Sequence, residues 1–155
     1  MAITAGMVKE LREKTGVGMM ECKKALQENE GDLEKAVLWL RERGLSRAAK
    51  KADRVAAEGI VKVLISDDAS KGVVLELNCE TDFVSKNDDF QKFADDVAQI
   101  ALDKNVSDIE VLKSSKLGSE TVDERLTALI AKVGENMKLR RVATLTAKNG
   151  TVSGY

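Results

Sequence analysis

The sequence predicts an α+β fold: a three-helix bundle over residues 1–54, then an antiparallel sheet with covering helices over residues 55–155. Three observations lead there. Apolar residues recur at three- and four-residue spacing in the first part, then at two-residue spacing from Glu58. Charge divides at the same place, with 12 basic and 9 acidic side chains in residues 1–54 against 13 and 17 in residues 55–155. With no Pro in the chain, Gly and N-cap residues are left to mark where elements begin and end.

Thr4 is placed to cap a first helix carrying Met7, Val8 and Leu11, which ends at the turn Thr15-Gly16-Val17-Gly18. Met19, Cys22, Ala25 and Leu26 form the stripe of a second helix, broken at Asn29-Glu30-Gly31. Asp32 caps a third, with Leu33, Ala36, Val37 and Leu40 on one face and Gly44 expected as its left-handed terminator. A basic, Ala-rich fourth helical stretch over 46–55 reads as a connector. Residues 59–65 and 72–79 read as two strands joined by a polar turn, Val73, Leu75 and Leu77 sharing a face. Asn87 or Asp88 opens a helix whose stripe is Phe90, Phe93, Ala94, Val97, Ile100 and Ala101. Ser107–Glu110 and Thr121–Glu124 both fit a capping box, the second opening a helix with Leu126, Leu129, Ile130 and Val133 inward and Gly134 at its end. Residues 137–147 read as a last strand whose alternation is blurred, as a bulge would make it.

Composition removes several functions. Among the 155 residues there is no His, so Ser–His and Cys–His nucleophiles and His-ligated zinc are excluded. A net charge of −1 lacks the basic field of non-specific nucleic-acid binding. Two Cys make neither a disulfide framework nor a metal cluster. The opening residues show no secretory pattern, and no apolar run approaches the roughly 20 residues of a membrane span. A cytoplasmic, non-catalytic protein is expected, with no cofactor or metal of its own and neither nucleic acid nor membrane as partner.

The candidate sites follow from residue type and position. The pairs Asp67-Asp68, Asp88-Asp89 and Asp95-Asp96 do not converge as acid–base pairs would, and read as solvated surface. Cys22 and Cys79 read as buried thiols. The connector Arg41–Arg54 carries six basic and two acidic residues but no aromatic for stacking, and reads as a solvated helix face. Two stretches are less ordinary. Met20 points about 100° away from the stripe holding Met19, so it is either packed or offered as an adaptable contact. Asn78-Cys79-Glu80-Thr81-Asp82-Phe83-Val84 joins a strand to a helix; its Phe either tucks into the core or projects as an anchor beside a carboxylate.

These residues also carry a resemblance. Thr15–Leu26 (TGVGMMECKKAL), Asn78–Val84 (NCETDFV) and Val133–Asn136 (VGEN) with Arg140-Arg141 resemble, in order and spacing, three signature stretches of bacterial elongation factor Ts. The resemblance implies a ubiquitin-associated-like three-helix domain followed by a sheet-based core. It implies a guanine nucleotide exchange factor for the GTPase elongation factor Tu, which holds the nucleotide and Mg²⁺ itself. Asp82 and Phe83 match the intruding pair, flanked by Thr81 and Val84. Leu11, Met19 and Met20 match the gripping surface, and Val133 matches a core contact. Family members usually run on past Tyr155, so the second core half is expected to be missing and residues 137–147 to leave a strand edge open. Two other readings stay in view: a protein-binding module of the translation machinery without exchange activity, and an RNA-binding protein resting on the basic connector.

Overall fold

The computed structural model describes residues 2–155. Helix α1 (Ala5–Thr15) starts where Thr4 Oγ1 accepts from the Met7 amide at 3.3 Å, and ends at Gly16 in the left-handed region. Helix α2 spans Met19–Glu28 and α3 spans Leu33–Ala49, the latter capped by Asp32. Val8, Leu11, Cys22, Ala25, Leu26, Ala36 and Leu40 close a core of their own among these helices.

The structure revises the expected end of the third helix. Gly44 does not terminate it, and α3 continues to Ala49, absorbing the first part of the connector. The residues after Gly44 are good helix formers with no Pro among them. Gly44 instead lies where α3 crosses helix α7 (Val122–Val133); a Cβ there would sit 3.7 Å from that of Ala131. Arg41 of α3 pairs with Glu124 of α7 across the same seam. Past Ala49 the chain turns through short backbone bonds as far as Arg54 rather than remaining helical to residue 55.

The second core is built on a three-stranded antiparallel sheet in the order β1 (Glu58–Ile65), β2 (Lys71–Cys79), β5 (Met137–Thr146). Val73, Leu75, Leu77 and Cys79 alternate onto its inner face, against Phe90, Phe93, Ala94, Val97 and Ala101 of α5 (Asp88–Lys104) and against α7. At the start of β1 the backbone runs so close to β2 that a Cβ on Gly59 would lie 2.2 Å from the Leu77 carbonyl oxygen. The bulge foreshadowed by the blurred alternation is present: Leu77 opposes Leu139 and Glu76 opposes Arg141, leaving Arg140 extra. Both arginines reach Glu76, at 3.3 and 2.7 Å.

Three further details depart from expectation. Helix α6 (Ile109–Ser114) is capped by Asp108, which takes the amides of Glu110 and Val111, so Ser107 forms no capping box. The Thr121–Glu124 box forms as expected, but it is preceded by a small hairpin, β3 (Lys116–Leu117) and β4 (Glu120–Thr121). Residues 82–85, expected as loop, form a single helical turn, α4 (Asp82–Ser85). Among the described residues no helix is long and apolar enough to cross a membrane.

The β1–β2 turn is organised by one carboxylate. Asp68 accepts from the Ser66 and Ser70 hydroxyls, each at 2.7 Å, and from the Ser70 amide at 3.0 Å. The Ser70 hydroxyl and amide, then the Ser66 hydroxyl, lower its pKa to about 2. A carboxylate held below its unfolded value stabilises the fold above pH ~4 and loses that contribution as pH falls towards 2. Replacing Asp68 by Ala is therefore expected to lower the thermal midpoint at pH 7, and the deficit should shrink between pH 4 and 2. A deficit constant over that range contradicts the assignment.

Candidate functional site

Two exposed apolar features stand out from the packed framework. Phe83 is 83% exposed, its ring on the single turn of α4. Met20 and Met19 are 77% and 43% exposed at the start of α2. Their presentation follows from local chemistry. The turn ending at Gly18 sets α2 so that Cys22, Ala25 and Leu26 go inward, which at about 100° per residue leaves Met20 on the far side, roughly 120–160° from each of them. On α4 the neighbours Val84 and Ser85 are buried, so the preceding Phe83 is driven outward.

The base of α4 is held by a polar network spanning the chain. Glu135 accepts from the Thr81 amide at 3.0 Å and from the Thr81 hydroxyl at 2.7 Å. In return Glu80 Oε1 accepts from the Asn136 amide at 2.7 Å and from Arg54 at 3.4 Å. The Asn136 side chain, itself buried, donates to the carbonyls of Arg54 at 2.7 Å and Ala52 at 3.3 Å. Arg54 also reaches the Gly134 carbonyl at 3.3 Å. Below the turn, Cys79 Sγ donates to the Thr81 carbonyl, Ser85 Oγ to the Asp82 carbonyl and Gln91 to the Ser85 carbonyl. Burial, and next the Glu135 charge, push the Cys79 thiol up to about 11, and burial raises that of Cys22; neither is an activated nucleophile.

Other carboxylates are engaged separately. Asp82 pairs with Lys86 on the surface, Asp95 with Lys62, Asp96 with Lys92 and Asp89 with Lys132. Among the described residues no group of three or more Cys, Asp or Glu side chains is placed to hold a metal ion.

The candidate residues thus divide. Phe83, Asp82, Met19 and Met20 are open to a partner. Thr81 and Val133 are half-buried, and the Thr81 hydroxyl is already committed to Glu135. Leu11 and Val84 cannot be contact residues in this structure: Leu11 is fully buried in the bundle core and Val84 is packed under the sheet, so they shape the platforms from within. Glu80, Glu135, Asn136 and Arg54 were given no site role from the sequence, because nothing local announces bonds between residues 26 to 84 positions apart.

Comparison with known proteins bears on the same stretches. The family model for elongation factor TS matches residues 80–155, and the model for the N-terminal region of mitochondrial elongation factor Ts matches residues 1–48. The chain belongs to the elongation factor Ts family. It is 57% identical over 154 residues to elongation factor Ts of Clostridium perfringens (strain 13 / Type A), covering 99% of this chain and 51% of that protein. It is 51% identical over 156 residues to elongation factor Ts of Hydrogenovibrio crunogenus, covering 100% of this chain and 53% of that protein. The chain thus spans about half the length of the curated relatives it matches. Within this elongation factor Ts region the latched α4 and its projecting ring form one structural unit.

Exposure separates two neighbours that differ little in hydrophobicity. Phe83→Ala is expected to change the unfolding free energy by less than about 0.5 kcal/mol, whereas Val84→Ala should cost about 2 kcal/mol. Chemical denaturation of the two variants checks this; equal losses contradict the placement of the ring.

Proposed function

We propose that this chain acts in translation elongation as the nucleotide-exchange half of an elongation factor Ts, releasing GDP from elongation factor Tu. The observation that carries the reading is the Phe83 ring, largely exposed on a turn held at one end by Glu135 and at the other by Gln91 of α5. A rigidly mounted ring of this kind is suited to entering a cleft in a partner, with the neighbouring Asp82 carboxylate orienting it. Met19 and Met20 supply an adaptable apolar grip on a second platform. Thr81 and Val133, both half-buried, complete the proposed partner-binding set.

The energetics require no catalytic side chain. A protein that binds the nucleotide-free GTPase more tightly than the GDP-bound form must weaken GDP binding by the same factor. Each tenfold of weakening asks about 1.4 kcal/mol of preference. Burying one exposed Phe contributes about 1.5–3 kcal/mol, one to two powers of ten if realised only in the nucleotide-free complex. The remainder falls to the methionine grip and to distortion of the partner's phosphate and Mg²⁺ site. Nucleotide and Mg²⁺ belong to the partner on this reading, and two buried free thiols suit a reducing cytoplasm.

Release of a fluorescent GDP from elongation factor Tu tests the proposal. The chain should accelerate release, and Phe83→Ala should lower the acceleration by about tenfold or more. No acceleration by the chain contradicts the reading, and a Phe83→Ala variant as fast as the parent removes the wedge from it.

A further inference from the structure

We propose that Glu135 is the positioning residue that aims the Phe83 element, a role distinct from any contact with the partner. The inference starts from a local irregularity. Thr4, Asp32, Asn87, Asp108 and Thr121 all stand at helix N-caps, and each turns its side chain back to accept an amide of its own helix. Thr81 stands at the N-cap of α4 with the same extended backbone, φ −128 and ψ 156, yet makes no side-chain cap bond. Its hydroxyl is donated to Glu135 Oε2 at 2.7 Å, and its amide to Glu135 Oε1 at 3.0 Å. Donating to a carboxylate leaves the lone pairs of the hydroxyl free, but no amide of α4 uses them, so the Thr81 side chain is oriented by Glu135 rather than by its own turn.

The exchange matters because α4 is four residues long. One turn has almost no internal stability, so the direction of its axis is set by what grips its two ends. The C-terminal end is fixed by Val84 and Ser85 in the core and by Gln91 on the Ser85 carbonyl at 2.6 Å. At the N-terminal end Glu135 binds both donors of Thr81, beside the Cys79 thiol on the Thr81 carbonyl. Glu135 is itself delivered by Gly134, which ends α7 at φ 86, a conformation a side chain disfavours. Each of its carboxylate oxygens accepts from Thr81, one from the amide and the other from the hydroxyl. The chain end of α7 thereby sets the angle of a ring 52 residues earlier in sequence.

Because the role rests on the exchange reading above, the test has one arm that needs no partner. In the free chain, Glu135→Ala should speed amide exchange at residues 83–86 by about tenfold, the size of one lost charge-assisted bond, while exchange in α1–α3 stays as in the parent. In GDP release it should lower the maximal rate by about tenfold and leave the half-saturating concentration within about twofold, since the grip is untouched. Glu135→Gln should restore both readouts: its oxygen still accepts the Thr81 amide and its NH₂ donates to the hydroxyl. Thr81→Val should reproduce part of the defect and add nothing to Glu135→Ala. Unchanged exchange at 83–86, a shift in half-saturation alone, or a Gln variant as impaired as the Ala variant overturns the proposal. Faster exchange at 83–86 in a chain that releases no GDP upholds the positioning of α4 and strikes the exchange reading instead. Should Glu135→Ala not fold, Glu135→Gln and Thr81→Val decide by the same readouts.

Discussion

Two glutamates reach across the fold for one another's neighbours. Glu80, at the end of β2, takes the amide of Asn136; Glu135, at the end of α7, takes the amide and hydroxyl of Thr81. The bonds are reciprocal, so the two loops close as one unit. An amide left unpaired in this half-buried setting would cost about 1–3 kcal/mol. With Asn136 tying in the carbonyls of Ala52 and Arg54, four chain segments meet at a single polar node: the linker, the end of β2, the end of α7 and the start of β5. The projecting ring has a defined direction because this node does.

The node also links the two apolar cores. The N-terminal bundle is joined to the sheet-based core through α3, which runs past Gly44 without a break and packs along α7. At the far end of α3 the chain turns and is caught by Asn136. The methionine face and the Phe83 turn are therefore mounted on a frame tied at two separated places, the α3–α7 seam and the Asn136 clasp. Surface pairs such as Arg41–Glu124 lie along the seam but add little energy, since they are solvent-screened.

What could be read in the sequence was what short-range physics encodes. The stripes ending at Leu40 and Ala101, the alternation of Val73, Leu75 and Leu77, and the box at Thr121 depend on residues a few positions apart, and all formed. Gly44 misled because a glycine serves equally as a helix terminator and as a site of close crossing; only the position of Ala131 decides. Ser107 and Asp108 are both capping residues, and the choice fell to the one whose carboxylate reaches two amides. The turn at 82–85 has no periodicity to detect at four residues. The node was illegible for a plainer reason: Glu80, Glu135 and Asn136 stand in stretches that carry the family resemblance, but nothing local shows what they bond to until the chain has folded. Of the residues expected as contacts, Met19, Met20, Asp82 and Phe83 are exposed and Leu11 and Val84 are packed within, while the polar bonds beneath the turn were not readable.

The extra residue in β5 carries a consequence of its own. Before it, Met137 and Leu139 are buried in the core; after it, the half-buried Val142 and Thr144 take the inner face, opposite Leu75 and Val73. Odd numbers point inward on one side of Arg140-Arg141 and even numbers on the other. The strand thus has a reading frame, and one arginine of the pair is the spare letter. Losing either would leave every remaining side chain on its present face, with one guanidinium still on Glu76. Losing any other interior residue would turn part of the strand inside out, so in this strand change of length is permitted at one place only.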